Sequence, residues 1–171
     1  MSSIDIVWDK KTRFLHWLIA GIIVTNLYIL EEGDPPHRYA GYVAVGLVFL
    51  RTLIGFFSKS ESSFKKFPLS LSQLKQYLLG KINKSSAIEY PGHNPAGAWT
   101  YIGMWTLVLC LGVSGFMMGL DAFWGEDWLE EAHNVFGILL QLLIAAHLVG
   151  MALDSYQFKR KAWMGMFHGR K

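Results

Sequence analysis

Apolar residues along this chain gather into four long runs rather than into the one-faced stripes of a soluble fold. The runs cover residues 14–30, 39–57, 99–120 and 135–153. Each has the roughly 17–25 helical residues that cross a hydrocarbon core about 30 Å thick. Few polar positions interrupt them, among them Asn26, Arg51, Ser114, Gln141 and His147. A helix satisfies its own backbone hydrogen bonds in lipid, so the pattern predicts helical spans. A soluble four-helix bundle would need a polar outer face, and Gly46-Leu47-Val48-Phe49-Leu50 or Ile138-Leu139-Leu140 leave little room for one. The expected fold is an all-α membrane protein, a single domain over residues 1–171 built as a four-transmembrane-helix bundle.

The first run follows Trp8-Asp9-Lys10-Lys11-Thr12-Arg13 but leads into a bulky, acidic stretch instead of a small-residue cleavage site, so it reads as a retained span. Glu31-Glu32-Gly33-Asp34-Pro35-Pro36 is a short, proline-stopped turn. The loop 58–98 is long and carries Leu71, Leu74, Leu78 and Leu79 at helical spacing beside Lys75 and Lys81. That spacing suits an amphipathic helix on an anionic leaflet, with a solvated linker helix as the alternative.

Composition sharpens the class. Of 171 residues, 52% are apolar and 17% charged, with mean hydropathy +0.27. Seven Trp, seven Tyr and eleven Phe exclude disorder, and the lone Cys110 excludes a disulfide scaffold or a multi-cysteine metal cluster. A C-x-x-C-H run is absent, so any haem would be held by coordination and packing. The net charge of +3 matters less than its distribution. Residues 1–13, 58–98 and 154–171 hold fourteen Lys/Arg against five Asp/Glu, whereas 31–38 and 121–132 hold eight acids against Arg38. The positive-inside rule then makes both termini and the long loop cytoplasmic. A basic balance confined to one side of a bilayer calls for lipid headgroups and no nucleic acid.

Ionisable side chains inside a membrane are costly and mark function by default. Four of the six histidines lie in the spans or at their ends: His16, His37, His133 and His147. Helix direction puts His16 and His147 near the inner face, and His37 and His133 near the outer one. On the fourth span the two histidines are fourteen residues apart. That is about 1400° of rotation, some 40° short of four turns, and about 21 Å of rise, so they share one face. Two imidazoles from opposite helices form the axial ligand set of a six-coordinate haem. Gly41 and Gly137 follow His37 and His133 by one turn, where a missing side chain would admit a porphyrin edge. A single histidine in a span is more often a packed or hydrogen-bonded residue. A zinc or di-iron site, or a proton path, would recruit carboxylates, and the span interiors have none.

Arg51 follows His37 by fourteen residues and needs an anionic partner or must snorkel; a haem propionate is the available anion. Arg13, one turn before His16, could serve the same group or act as a positive-inside anchor. His93, in Gly92-His93-Asn94-Pro95, could cover the inner site, while Asn94 and Pro95 are also a plain helix start. His168 lies in the basic tail.

These residues, taken in order, resemble a known family. Trp8-Asp9, Arg13-Phe14-Leu15-His16-Trp17, His37-Arg38-Tyr39-Ala40-Gly41-Tyr42 with Arg51, Gly92-His93-Asn94-Pro95, His133 with His147, and the closing Met164-Gly165-Met166-Phe167-His168-Gly169-Arg170-Lys171 are similar to the bacterial cytochrome b561 and nickel-iron-hydrogenase cytochrome b family. The resemblance spans nearly the whole chain. It implies a four-helix cytochrome of the bacterial inner membrane with two non-covalent b haems, His16 with His147 and His37 with His133 as axial ligands, exchanging electrons with quinone and periplasmic redox proteins. Hydrogenase-associated members often carry an additional span.

The functional expectation is electron transfer across the inner membrane between a quinone pool and a periplasmic partner such as a cytochrome c, docked on the acidic loop 121–131. One rival is a quinone reductase that oxidises a small diffusible species such as superoxide. Another is a membrane anchor or electron-transfer subunit of a larger oxidoreductase. The glycine-containing faces of spans two and three are where a homodimer would pack.

Overall fold

The computed structural model describes residues 8–58, 62–82, 90, 92–159 and 161–169. Arg170 and Lys171 of the closing stretch and parts of the loop 58–98 lie outside them. Among the described residues the regular structure is entirely helical. Helix α1, Lys10–Tyr28, starts ahead of the first apolar run because Asp9 caps it, its carboxylate accepting from the Thr12 amide at 2.7 Å. Helix α2, Pro35–Phe57, opens on two prolines, where a missing N–H leaves nothing unsatisfied. The loop holds a 3-10 turn, Phe64–Lys66, and the amphipathic helix α3, Leu71–Ile82. Helix α4, Pro95–Met117, is capped by Asn94, which accepts from the Gly97 amide at 2.7 Å. It stops short of residue 120 because Gly119 and Leu120 turn back onto Phe116 and Met117. Helix α5, Asp127–Gln157, has 31 residues and so is about 46 Å long. A 3-10 turn, Ala162–Met164, leads into the short α6, Gly165–His168.

Three helices, α2, α4 and α5, are long and apolar enough to cross a membrane, with mean hydropathies of 1.8, 1.5 and 2.2. Helix α1 is shorter and carries Lys10, Lys11 and Arg13 in its first turn, which dilutes its apolar character. Along α5 only Leu129 and Leu140 are buried, while Ile138, Leu139, Leu142, Leu148, Val149 and Leu153 face outward. A water-soluble monomer rarely exposes an apolar patch of more than a few hundred Å². Together these features make the chain a membrane protein.

Helix α1 packs on α2, α2 on α4, and α4 on α5. Ala44, Val48, Val108 and Leu140 form the common core, and Ile19, Ile22 and Ile23 of α1 pack against it. Gly112 lets α4 approach α2 closely, since a Cβ there would collide with the Val45 side chain. In α3, Leu71, Leu78 and Leu79 are exposed, as expected of a helix lying on a bilayer surface. It is tied to the end of α5, with Lys81 donating to Gln157. Burial first, then the charge of Asp154 and of Tyr90, pushes the Tyr77 hydroxyl up to about 12, so it stays protonated.

The end of the described chain folds back onto its beginning. The Trp8 amide donates to the Gly169 carbonyl at 3.1 Å, Arg13 donates to the Phe167 carbonyl, and the Trp17 indole donates to the Met166 carbonyl at 3.2 Å. Gly169 has φ of 77°, a left-handed conformation that glycine adopts without strain and that ends α6 beneath Trp8.

Candidate functional site

The four membrane histidines meet as two pairs. His16 of α1 faces His147 of α5 with ring centroids 6.4 Å apart and planes at 51°. His37 of α2 faces His133 of α5 at 6.3 Å and 59°. A single continuous helix, α5, therefore contributes one imidazole to each pair, as the fourteen-residue spacing requires. With metal–nitrogen bonds of about 2.0–2.1 Å and roughly 1.1 Å from nitrogen to ring centroid, an ion shared by opposed imidazoles sets the centroids about 6.3 Å apart. Both pairs have that spacing. Among the described residues no group of three or more His, Cys, Asp or Glu gathers to hold a metal, so each pair offers two protein donors and no more.

Around the inner pair the structure assembles groups that sequence reading left scattered. Arg51 is 3% exposed. Its Nη2 donates to the Ser62 carbonyl at 3.0 Å, and its guanidinium lies 5.5, 5.9 and 6.0 Å from the ring centres of Phe64, Tyr101 and Trp105. Among the described residues its Nη1 is buried with no hydrogen-bond partner, and its charge acts on the His16 imidazole. Such a nitrogen marks a place for an anion. Arg13 likewise has its Nε buried with no hydrogen-bond partner among the described residues. Asp9, Thr12 and Ser62 tie the start of α1 to the loop: the Thr12 hydroxyl donates to Ser62 Oγ at 3.1 Å, and Ser62 Oγ donates to Asp9 at 3.2 Å. His93 sits in a ring cluster, 4.8 Å from Trp8, 4.6 Å from Phe67 and 5.4 Å from Tyr101. His168 is exposed.

At the outer pair, His133 Nδ1 lies 2.8 Å from the Ser114 hydroxyl on α4. A Cβ on Gly115 would stand 3.4 Å from His133 Cε1, so α4 passes close beside the ring at that glycine. One turn beyond His133, a Cβ on Gly137 would meet nothing within 4 Å; on Gly41 it would meet the end of Asn26 at 3.7 Å. Open space therefore lies beside Gly137, while the position beside Gly41 is in contact with Asn26.

A family model described as prokaryotic cytochrome b561 matches residues 7–169. The chain belongs to the prokaryotic cytochrome b561 family. Searches of curated proteins and of solved structures found no match. A membrane b-type cytochrome binds haem b and carries electrons, and the residues present in this cytochrome b561 fit that group on three counts. Paired imidazoles have the separation a shared ion demands. Arg51 Nη1 and Arg13 Nε are buried without a hydrogen-bond partner among the described residues, positions that haem carboxylates would suit. Gly137 leaves open space beside it in which the edge of a macrocycle would fit.

Proposed function

We propose that this cytochrome b561 spans the bacterial inner membrane with four helices, holds two b haems and moves electrons between a quinone pool and a periplasmic redox protein. The observation that carries the reading is the pair of facing imidazole couples at 6.4 and 6.3 Å, each drawing one member from α5. A haem held between two imidazoles supplies reversible one-electron transfer without an open coordination position. His16 and His147 would hold the inner haem, and His37 and His133 the outer. Arg51 and Arg13 would neutralise the inner carboxylates. Gly41 and Gly137 would admit the outer ring, and His93, with its aromatic neighbours, would exclude water from the inner one. Helix α1, with 19 residues, is about 28 Å long and so suffices as a fourth span. The excess of Lys and Arg in 1–13, 58–98 and 154–171 supports cytoplasmic termini.

An absorption spectrum with haem quantitation tests this directly. Two b haems per chain with low-spin bis-imidazole bands are expected; a colourless folded protein, or iron bound by other groups, would refute it.

Partner choice rests on the opposite surface. All eight acids of 31–38 and 121–132 are exposed. An acidic face draws basic partners, and its attraction fades as the Debye length shrinks from about 10 Å at 0.1 M salt to about 3 Å at 1 M. Electron exchange with a small basic cytochrome c should slow several-fold as salt rises, measured by stopped-flow; a salt-independent rate contradicts docking at this face.

A further inference from the structure

Among the described residues, the outer pair has a side-chain hydrogen bond that the inner pair does not. Ser114 is 4% exposed, and its Oγ lies 2.8 Å from the Cys110 carbonyl as well as 2.8 Å from His133 Nδ1. The Leu111 carbonyl is a second acceptor, at 3.2 Å. A hydroxyl has one proton, and a serine inside an apolar helix commonly gives it to the carbonyl one turn back. With that proton committed to the α4 backbone, the contact to His133 runs the other way, Nδ1–H donating to Oγ. A neutral imidazole protonated on Nδ1 has its lone pair on Nε2. Gly115, with no side chain, leaves room on α4 beside this edge of the ring, where a Cβ would stand 3.4 Å from Cε1. Among the described residues, no side-chain hydrogen bond of this kind is made by His16, His37 or His147.

We infer that Ser114 is a positioning residue for His133: it sets the tautomer, presents Nε2 as the ligating nitrogen and, by accepting from Nδ1–H, enriches the imidazole in electron density. The inference rests on the two-haem reading above. Hydrogen bonds of this type orient metal-ligating histidines and raise their basicity, and their loss typically costs 10–100-fold in affinity or activity. A richer imidazole favours ferric over ferrous iron, so Ser114 would hold the outer potential down and leave the inner one alone.

The test is a spectroelectrochemical titration of the holoprotein carrying Ser114→Ala, Ser114→Val and Ser114→Thr, with the outer couple identified as the one that survives in His147→Ala. In the Ala and Val variants the outer couple should move upward by as much as a tenfold change in its ferric-to-ferrous preference, which is about 59 mV for one electron. Loss of the outer haem alone is the stronger form of the same result. The inner couple should stay in place, and Ser114→Thr, which keeps the hydroxyl, should restore the wild-type value. Unmoved couples in Ala and Val, a joint shift of both couples, or failure of Thr to restore would overturn the inference. If the wild-type protein lacks two bis-imidazole haems, the two-haem reading fails instead; if it has them and Ser114→Ala is silent, only the role of Ser114 falls.

Discussion

His147→Ala is expected to give a folded protein with one haem per chain in place of the two proposed. His147 is only partly buried and lies outside the common core, and alanine is the best helix former, so α5 should persist. What disappears is one of the two imidazoles facing each other at 6.4 Å, and with it half of the inner donor set. The remaining haem, between His37 and His133, should keep low-spin bis-imidazole bands. Haem-to-protein ratio and the reduced spectrum check this, and His133→Ala should give the complementary loss. Retention of both haems in folded His147→Ala, or loss of both, would break the assignment of ligands to pairs.

Arg51→Met should have opposite effects on the empty and the loaded protein. A buried guanidinium without an anion is costly, several kcal/mol after relaxation, and methionine of similar length removes that cost. Without haem, the Met variant should therefore melt at a higher temperature than the parent. Once a carboxylate occupies the position facing Nη1, removing the cation strands a buried anion, at about 3–5 kcal/mol. The inner haem should then be held roughly a hundredfold less tightly or worse, read by haem transfer to an acceptor protein. If Arg51→Met destabilises the haem-free protein and leaves haem retention unchanged, Arg51 is a structural cation of the ring cage formed by Phe64, Tyr101 and Trp105.

Three of the four expected spans and the meeting of the histidine rings in two pairs were legible because both follow from one-dimensional rules. Apolar run length sets what can cross a bilayer, and helix direction sets depth. His133 and His147 share a face by helical arithmetic alone. Ends of helices were harder, since α1 begins where Asp9 can cap it and α4 stops where Gly119 turns, and neither alters hydropathy. The Arg51 cage escaped because Phe64 comes from the loop, Tyr101 and Trp105 from α4 and Arg51 from α2, and only packing brings them together. Ser114 looked like one more small polar interruption of a span. Its role becomes visible on counting both ways from the turn joining α4 to α5, which brings positions 114 and 133 to one level. The fold-back onto Trp8, Arg13 and Trp17 left no trace in periodicity, because backbone carbonyls of residues 166, 167 and 169 accept those bonds and any sequence supplies them.

That fold-back has a consequence for biogenesis. His37 and His133 can meet once α5 has begun to enter the bilayer, but the bonds that clasp the base of α1 require residue 169 to have left the ribosome. The His37–His133 pair can thus form before the clasp on α1, beside His16, is complete. A nascent chain arrested soon after residue 147 would have all four imidazoles and still leave Arg13 and Trp17 without their closing strap.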